Sequence, residues 1–134
     1  MAASAWGKQR WRHSSKVAKS MHELSIALSI IDVAEEELQR LGASQVVSIH
    51  LRIGLLSGVG RQSLASAFEL ARENTPCAKS RLIFEEVPVA AYCPVCREPK
   101  PVSSIQRFHC AVCDSPVSNV VQGQELQVTA LEVE

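Results

Sequence analysis

The sequence predicts an α+β fold, two helices on a small sheet, with a four-cysteine lobe inserted before the closing strand. Three observations predict it. Apolar residues recur at helical spacing in two stretches, strand-like segments lie between and after them, and both periods vanish where two Cys-x-x-Cys pairs occur. At 134 residues the chain suits one domain, or one small domain with a stapled lobe. Hydrophobic residues make up 46% but aromatics only 4%, so the core must be built of Leu, Ile, Val and Ala.

The first helix is read over 23–41. There Leu24, Ala27, Leu28, Ile31, Ala34, Leu38 and Leu41 fall at steps of three and four along one face. Glu35, Glu36, Glu37, Gln39 and Arg40 take the other side, and Gly42 fits the C′ position that ends the helix. Val47, Ile49, Leu51 and Ile53 then alternate with Ser48, His50 and Arg52, the period of a strand. His50, on the polar face, is expected to be solvated. The glycine-rich stretch from Gly54 to Gly60 breaks this strand and lacks the lysine and hydroxyl of a phosphate loop, so nucleotide hydrolysis is not expected. Leu64, Ala67, Phe68 and Ala71 mark a second helix, with Ser63 as its expected N-cap and an end before Pro76. RLIFEEV at 81–87 reads as a strand bounded by Pro88, and ELQVTALEV at 125–133 as the last one. The resulting division is a body of residues 21–90 plus 124–134 and a lobe of residues 91–123.

Within the lobe, Cys93-Pro-Val-Cys96 and Cys110-Ala-Val-Cys113 are separated by 13 residues. Each two-residue gap lets both thiolates of a knuckle turn onto one ion, and two knuckles fill a tetrahedral shell at about 2.3 Å. No position is left for a substrate water, so the site is read as structural, its binding energy serving as folding energy for a zinc-ribbon-like lobe. Zinc is the expected ion, although iron fits the same four sulfurs. A redox Cys-x-x-Cys would sit between a strand and a helix of a βαβ unit, a context these pairs lack. His109, beside Cys110, is expected as a solvated imidazole or one just outside the ligand shell. Cys77, alone after Pro76, is expected as a buried free thiol.

The formal net charge of zero hides an asymmetry. Residues 1–20 contain Lys8, Arg10, Arg12, Lys16 and Lys19 and no acid, a charge of +5; the remainder holds the other nine basic and all 14 acidic residues, a charge of −5. An acidic body disfavours phosphate backbones. The rival reading, a zinc-ribbon nucleic-acid-binding or transcription adaptor, has only Arg97, Lys100 and Arg107 and the aromatics Tyr92 and Phe108 to work with in the lobe, a thin footprint. No apolar run approaches the roughly 20 residues that cross a bilayer. Residues 1–20 lack a secretory apolar core, and with five cysteines the chain suits a reducing, cytoplasmic setting. This basic extension shares its composition with organelle transit peptides, but reads first as an upstream start or a cloning remnant, expected to be disordered or not native and set aside from the fold. No Ser-His-Asp set, open-site zinc triad or cofactor loop marks an enzyme.

Met21-His22-Glu23-Leu24 heads the first helix. On spacing alone, Ser20-x-x-Glu23 fits a capping box, which accounts for Glu23 without any ligand. Yet MHELSIALSIIDVAEE, LRIGLLSGV, SAFELARENT, the two Cys-x-x-Cys pairs and the closing strand together resemble the HypA/HybF family, nickel metallochaperones of nickel–iron hydrogenase maturation, across residues 21–134. The resemblance implies a nickel-binding α+β domain with an inserted zinc lobe. It implies His22 as the central nickel ligand, assisted by Glu23, beside zinc on Cys93, Cys96, Cys110 and Cys113. It further implies delivery of nickel to a hydrogenase large-subunit precursor together with a HypB-type GTPase, with urease accessory proteins as further partners of some members, and it leaves room for a homodimer. Imidazole and backbone amide nitrogens suit square-planar Ni(II). The chain departs from the family pattern at Gly60, where many members place an acid. With residues 1–20 attached, Met21 offers an amide rather than a free amine.

Overall fold

The computed structural model describes residues 15–16 and 23–134. Helix α1 (Glu23–Leu41) lies where the spacing places it, but its buried stripe is offset. Ile26, Ala27, Ile30, Ile31, Ala34 and Leu38 are buried, whereas Leu24 and Leu28 are 43% and 48% exposed. Two apolar rows overlap on this helix and share Ala27, Ile31, Ala34 and Leu38, so the period alone admits either. Packing selects the row that carries the extra isoleucines. Gly42 then ends the helix at φ +69°, with Gly42 N–H on Gln39 O at 3.2 Å and Ala43 N–H on Leu38 O at 3.1 Å, the paired bonds of a Schellman motif.

Strand β2 (Val46–Gly54) turns Ile49, Leu51 and Ile53 into the core. Helix α2 (Arg61–Ala71) begins two residues ahead of the expected Ser63 cap. Gly60 is the N-cap, in extended conformation, and its carbonyl accepts the first helical bond from Leu64 N–H at 2.9 Å. No side chain caps this end, because the backbone already bends into the helix at Gly60 and leaves Ser63 inside the first turn. Strand β3 (Arg81–Val87) pairs parallel with β2 from Ser48↔Arg81 to Gly54↔Val87 without a register shift, so α2 is a crossover between parallel neighbours.

The chain next leaves this sheet for a second one. Strands β4 (Ala90–Cys93), β5 (Glu98–Ser104), β6 (Arg107–Cys110) and β7 (Asn119–Gln122) form the antiparallel order β6-β5-β4-β7. Strand β8 (Leu126–Val133) returns antiparallel to β2, on the side away from β3. A two-residue strand β1 (Ser15–Lys16) pairs with β8, giving the order β1-β8-β2-β3. The basic extension set aside on composition therefore supplies two residues to this sheet; its other residues lie outside those described.

Both helices pack on one face of the first sheet, around a core that includes Ile26, Ile30, Ile49, Leu51, Phe68 and Leu131. The second sheet has its own small cluster of Ala91, Cys93, Cys110 and Val117. The passages between the sheets cross beside Gly54. Gly54 N–H bonds Glu125 O at 2.8 Å, Leu56 N–H bonds Gly123 O at 2.7 Å, and the Gln122 side chain donates to Pro88 O at 3.0 Å. A Cβ on Gly54 would lie 2.1 Å from Gly123 O, so only glycine lets the two backbones meet this closely. Among the described residues no helix is long and apolar enough to cross a membrane.

Candidate metal centre

Two turns of one design carry the sulfurs. Cys93 ends β4 and Cys96 follows in the turn to β5; Cys110 ends β6 and Cys113 follows in the next turn. Cys96 N–H donates to Cys93 Sγ at 3.4 Å, and Cys113 N–H to Cys110 Sγ at 3.5 Å. Val112 N–H adds a third such bond to Cys110 Sγ at 3.4 Å. Arg97 N–H closes the first turn on Cys93 O at 2.7 Å, and Asp114 N–H closes the second on Cys110 O at 2.8 Å. Both closing residues sit in the left-handed region, at φ 61° and 64°. Such a backbone costs a non-glycine residue on the order of 1–3 kcal/mol and persists where its surroundings hold it.

All four sulfurs lie within 4.8 Å of one another. Cys93 and Cys113 are 3.5 Å apart, and Cys96 and Cys110 are 4.0 Å apart. Thiolates about 2.3 Å from a tetrahedral centre stand roughly 3.8 Å from each other, a spacing these two distances bracket. The backbone N–H groups aimed at sulfur favour the charged ligand over the neutral thiol. Burial and the neighbouring thiols push Cys96 up to about 12, while a hydrogen bond to Ser115, 3.3 Å away, draws Cys113 down to about 6. Four thiols this close ionise together only when a cation shares their centre. Cys93 and Cys110 are buried, Cys96 is half-buried and Cys113 is exposed, so the cluster faces solvent on one side. The donors and their spacing fit a single tetrahedral metal ion.

The spacing of cysteines pointed to this cluster but gave no hint of Ser115 or of the left-handed Arg97 and Asp114. A polar residue two positions after the last cysteine was the available signal for the first. His109 stays out of the cluster: its Nδ1 lies 2.9 Å from the Asp114 carbonyl and 3.7 Å from that residue's carboxylate. His50 is less solvated than its polar-face position suggested. Its side chain is 25% exposed, Glu132 stands 3.8 Å from Nε2, and that nitrogen has no hydrogen-bond partner among the described residues. The cross-strand neighbour Glu132, opposite Ser48 on β8, covers it. Cys77 belongs to the core beneath the helices, where burial pushes its thiol up to about 11. Of the expected nickel ligands, Glu23 opens α1 and is half-buried, whereas His22 lies outside the described residues.

A family model described as "Hydrogenase/urease nickel incorporation, metallochaperone, hypA" matches residues 21–133. A hydrogenase maturation factor HypA from Chloroflexus aurantiacus is 42% identical over 112 residues, which are 84% of this chain and 98% of that one. Another from Deinococcus radiodurans is 38% identical over 108 residues, 81% of this chain and 89% of the relative. Among solved structures, the solution structure of a HypA protein aligns with a TM-score of 0.65 at 28% identity, covering 86% of this chain and 98% of that one. The solution structure of the nickel metallochaperone HypA from Helicobacter pylori aligns with a TM-score of 0.59 at 28% identity, covering 84% and 97%.

Proposed function

Because the chain belongs to the HypA family of metallochaperones for nickel incorporation into hydrogenase and urease, we propose that it carries Ni(II) on the His22-Glu23 motif and holds a structural zinc ion on Cys93, Cys96, Cys110 and Cys113. The observation that carries this reading is where the family match begins: its first residues are Met21 and His22, followed in sequence by Glu23, the residue that opens helix α1.

The two sites suit opposite tasks. The sulfur cage has four converging soft donors, two of them buried, which favours permanent retention. A site built on one imidazole and backbone amides binds square-planar Ni(II) with few protein side chains, and proton competition for a histidine near neutral pH gives a route to release. The protein acts by binding and transfer rather than by catalysis. Its expected recipients are a hydrogenase large-subunit precursor, aided by a HypB-type GTPase, and urease accessory proteins. A reducing cytoplasm keeps the four thiolates available.

Calorimetry on zinc-loaded protein tests the assignment. One nickel ion should bind per chain at about micromolar affinity, roughly −8 kcal/mol. His22→Ala should abolish that uptake and leave the zinc content unchanged. Nickel binding that survives His22→Ala overturns the assignment of the carrier site.

A further inference from the structure

We infer that β3 is an interface strand through which two copies of this chain pair edge to edge, antiparallel, about a twofold axis at Ile83. The first sheet has two edges. Strand β1 lies against β8 on one side, while among the described residues no strand pairs with the outer edge of β3. That open edge is seven residues long, runs without a register shift, and contains no proline. Exposed strands are usually blunted by prolines, bulges or short length, because their free N–H and C=O groups template another strand. β3 uses none of these three devices. Its only blunting residues are charges, and their order fits a second copy.

Side-chain alternation puts Arg81, Ile83 and Glu85 on the helix-free face, and Leu82 and Phe84 on the face toward the core cluster. A twofold axis perpendicular to the sheet keeps each face on its own side, so the partner residue opposite any position must share its parity. With the axis at Ile83, Arg81 meets Glu85 of the second copy twice over, Leu82 meets Phe84 twice, and Ile83 meets itself. Moving the axis to Phe84 sets Leu82 against Glu86 and Ile83 against Glu85. Moving it to Leu82 sets Arg81 against Ile83. Only the first register joins unlike charges and leaves apolar groups against apolar groups.

The surroundings agree with that register. Arg81 is exposed and has no ion pair among the described residues; Glu85 is 69% exposed, with Arg52 at 3.8 Å as its neighbour. Leu82, Ile83 and Phe84 are only half-buried within one copy. Beside the edge, α2 overhangs a groove of about 340 Å³ whose lining joins the apolar Phe68, Leu82 and Phe84 to the charged Glu69, Arg72 and Arg81. A second copy's Leu82 and Phe84 would lie along its open side, each against its apolar counterpart Phe84 or Leu82. The inference stands apart from either metal site.

The test uses the full, zinc-loaded chain and two charge reversals. Wild type should sediment as a dimer at micromolar concentration. Arg81→Glu alone, or Glu85→Arg alone, sets like charges opposite each other at two symmetry-related places and should raise the dimer dissociation constant on the order of tenfold or more. An equimolar mixture of the R81E and E85R chains again faces acid with base at both places and should dimerise. So should the R81E/E85R double variant. A monomeric wild type, a dimer indifferent to both single changes, or a mixture that stays monomeric overturns the inference. A recovered mixture also establishes that both single variants are folded.

Discussion

Seventeen buried apolar residues knit the helices and sheet of the body, whereas four form the core of the lobe, and two of those four are Cys93 and Cys110 of the cysteine cluster. A fully buried aliphatic side chain contributes about 1.5–3 kcal/mol, so the body gains its stability from excluded solvent. Without its sulfurs the lobe's cluster keeps Ala91 and Val117, with Val102 and Phe108 half-buried against them, too little to offset the ordering of some thirty residues. One region is built round an apolar core. The other is a small sheet wrapped round a cluster of four cysteines. A single chain can therefore respond to metal removal and to core damage in two separable ways.

Breaking the lobe should have the largest effect. Structural zinc is worth on the order of 10 kcal/mol or more to a small metal-folded unit. Cys93→Ser should thus release the ion and collapse the backbone resonances of β4 to β7 to random-coil positions, while those of α1 and β2 keep their dispersion. Loss of both sets together would show that the two regions fold as one. Breaking the body comes next. Leu51 is fully buried, and Leu51→Ala should cost about 2–5 kcal/mol in denaturant unfolding, with the zinc content still one per chain. Zinc loss in parallel would dissolve the distinction from the other side. The junction sharpens it. Gly54→Ala forces a Cβ against Gly123 O and should cost about 3 kcal/mol, shifting resonances in both regions at once. A response confined to the body would mean that the lobe is positioned by other contacts.

The same contrast governs how much could be read from the amino-acid order. The body declares itself by period: α1, β2, β3 and β8 all appear near their expected places, since each has one face in the core. Period does not name partners, so the parallel pairing of β2 with β3 and the insertion of β8 beside β2 were out of reach. Nor does it settle which of two overlapping rows on α1 is buried, as Ile26 and Leu24 demonstrate. Gly60, too small to announce a cap, displaced the start of α2 from Ser63. In the lobe the positions reverse. Its strands are short, and Pro99 and Pro101 interrupt β5, so no alternation betrays them. Its cysteine cluster was plain, because a two-residue gap between cysteines fixes local geometry before any fold exists.

The route of β8 carries a consequence for synthesis. This strand fills the inner place between β1 and β2, yet the chain reaches it only after the entire lobe. A translating ribosome must therefore release every residue of the cysteine turns before β2 gains its antiparallel neighbour. A nascent chain stalled inside the lobe would leave Val46 to Gly54 with a bare flank, the kind of surface that chaperones and proteases inspect. Emergence of the cysteine turns and completion of the sheet are thus placed in a fixed temporal order by topology alone.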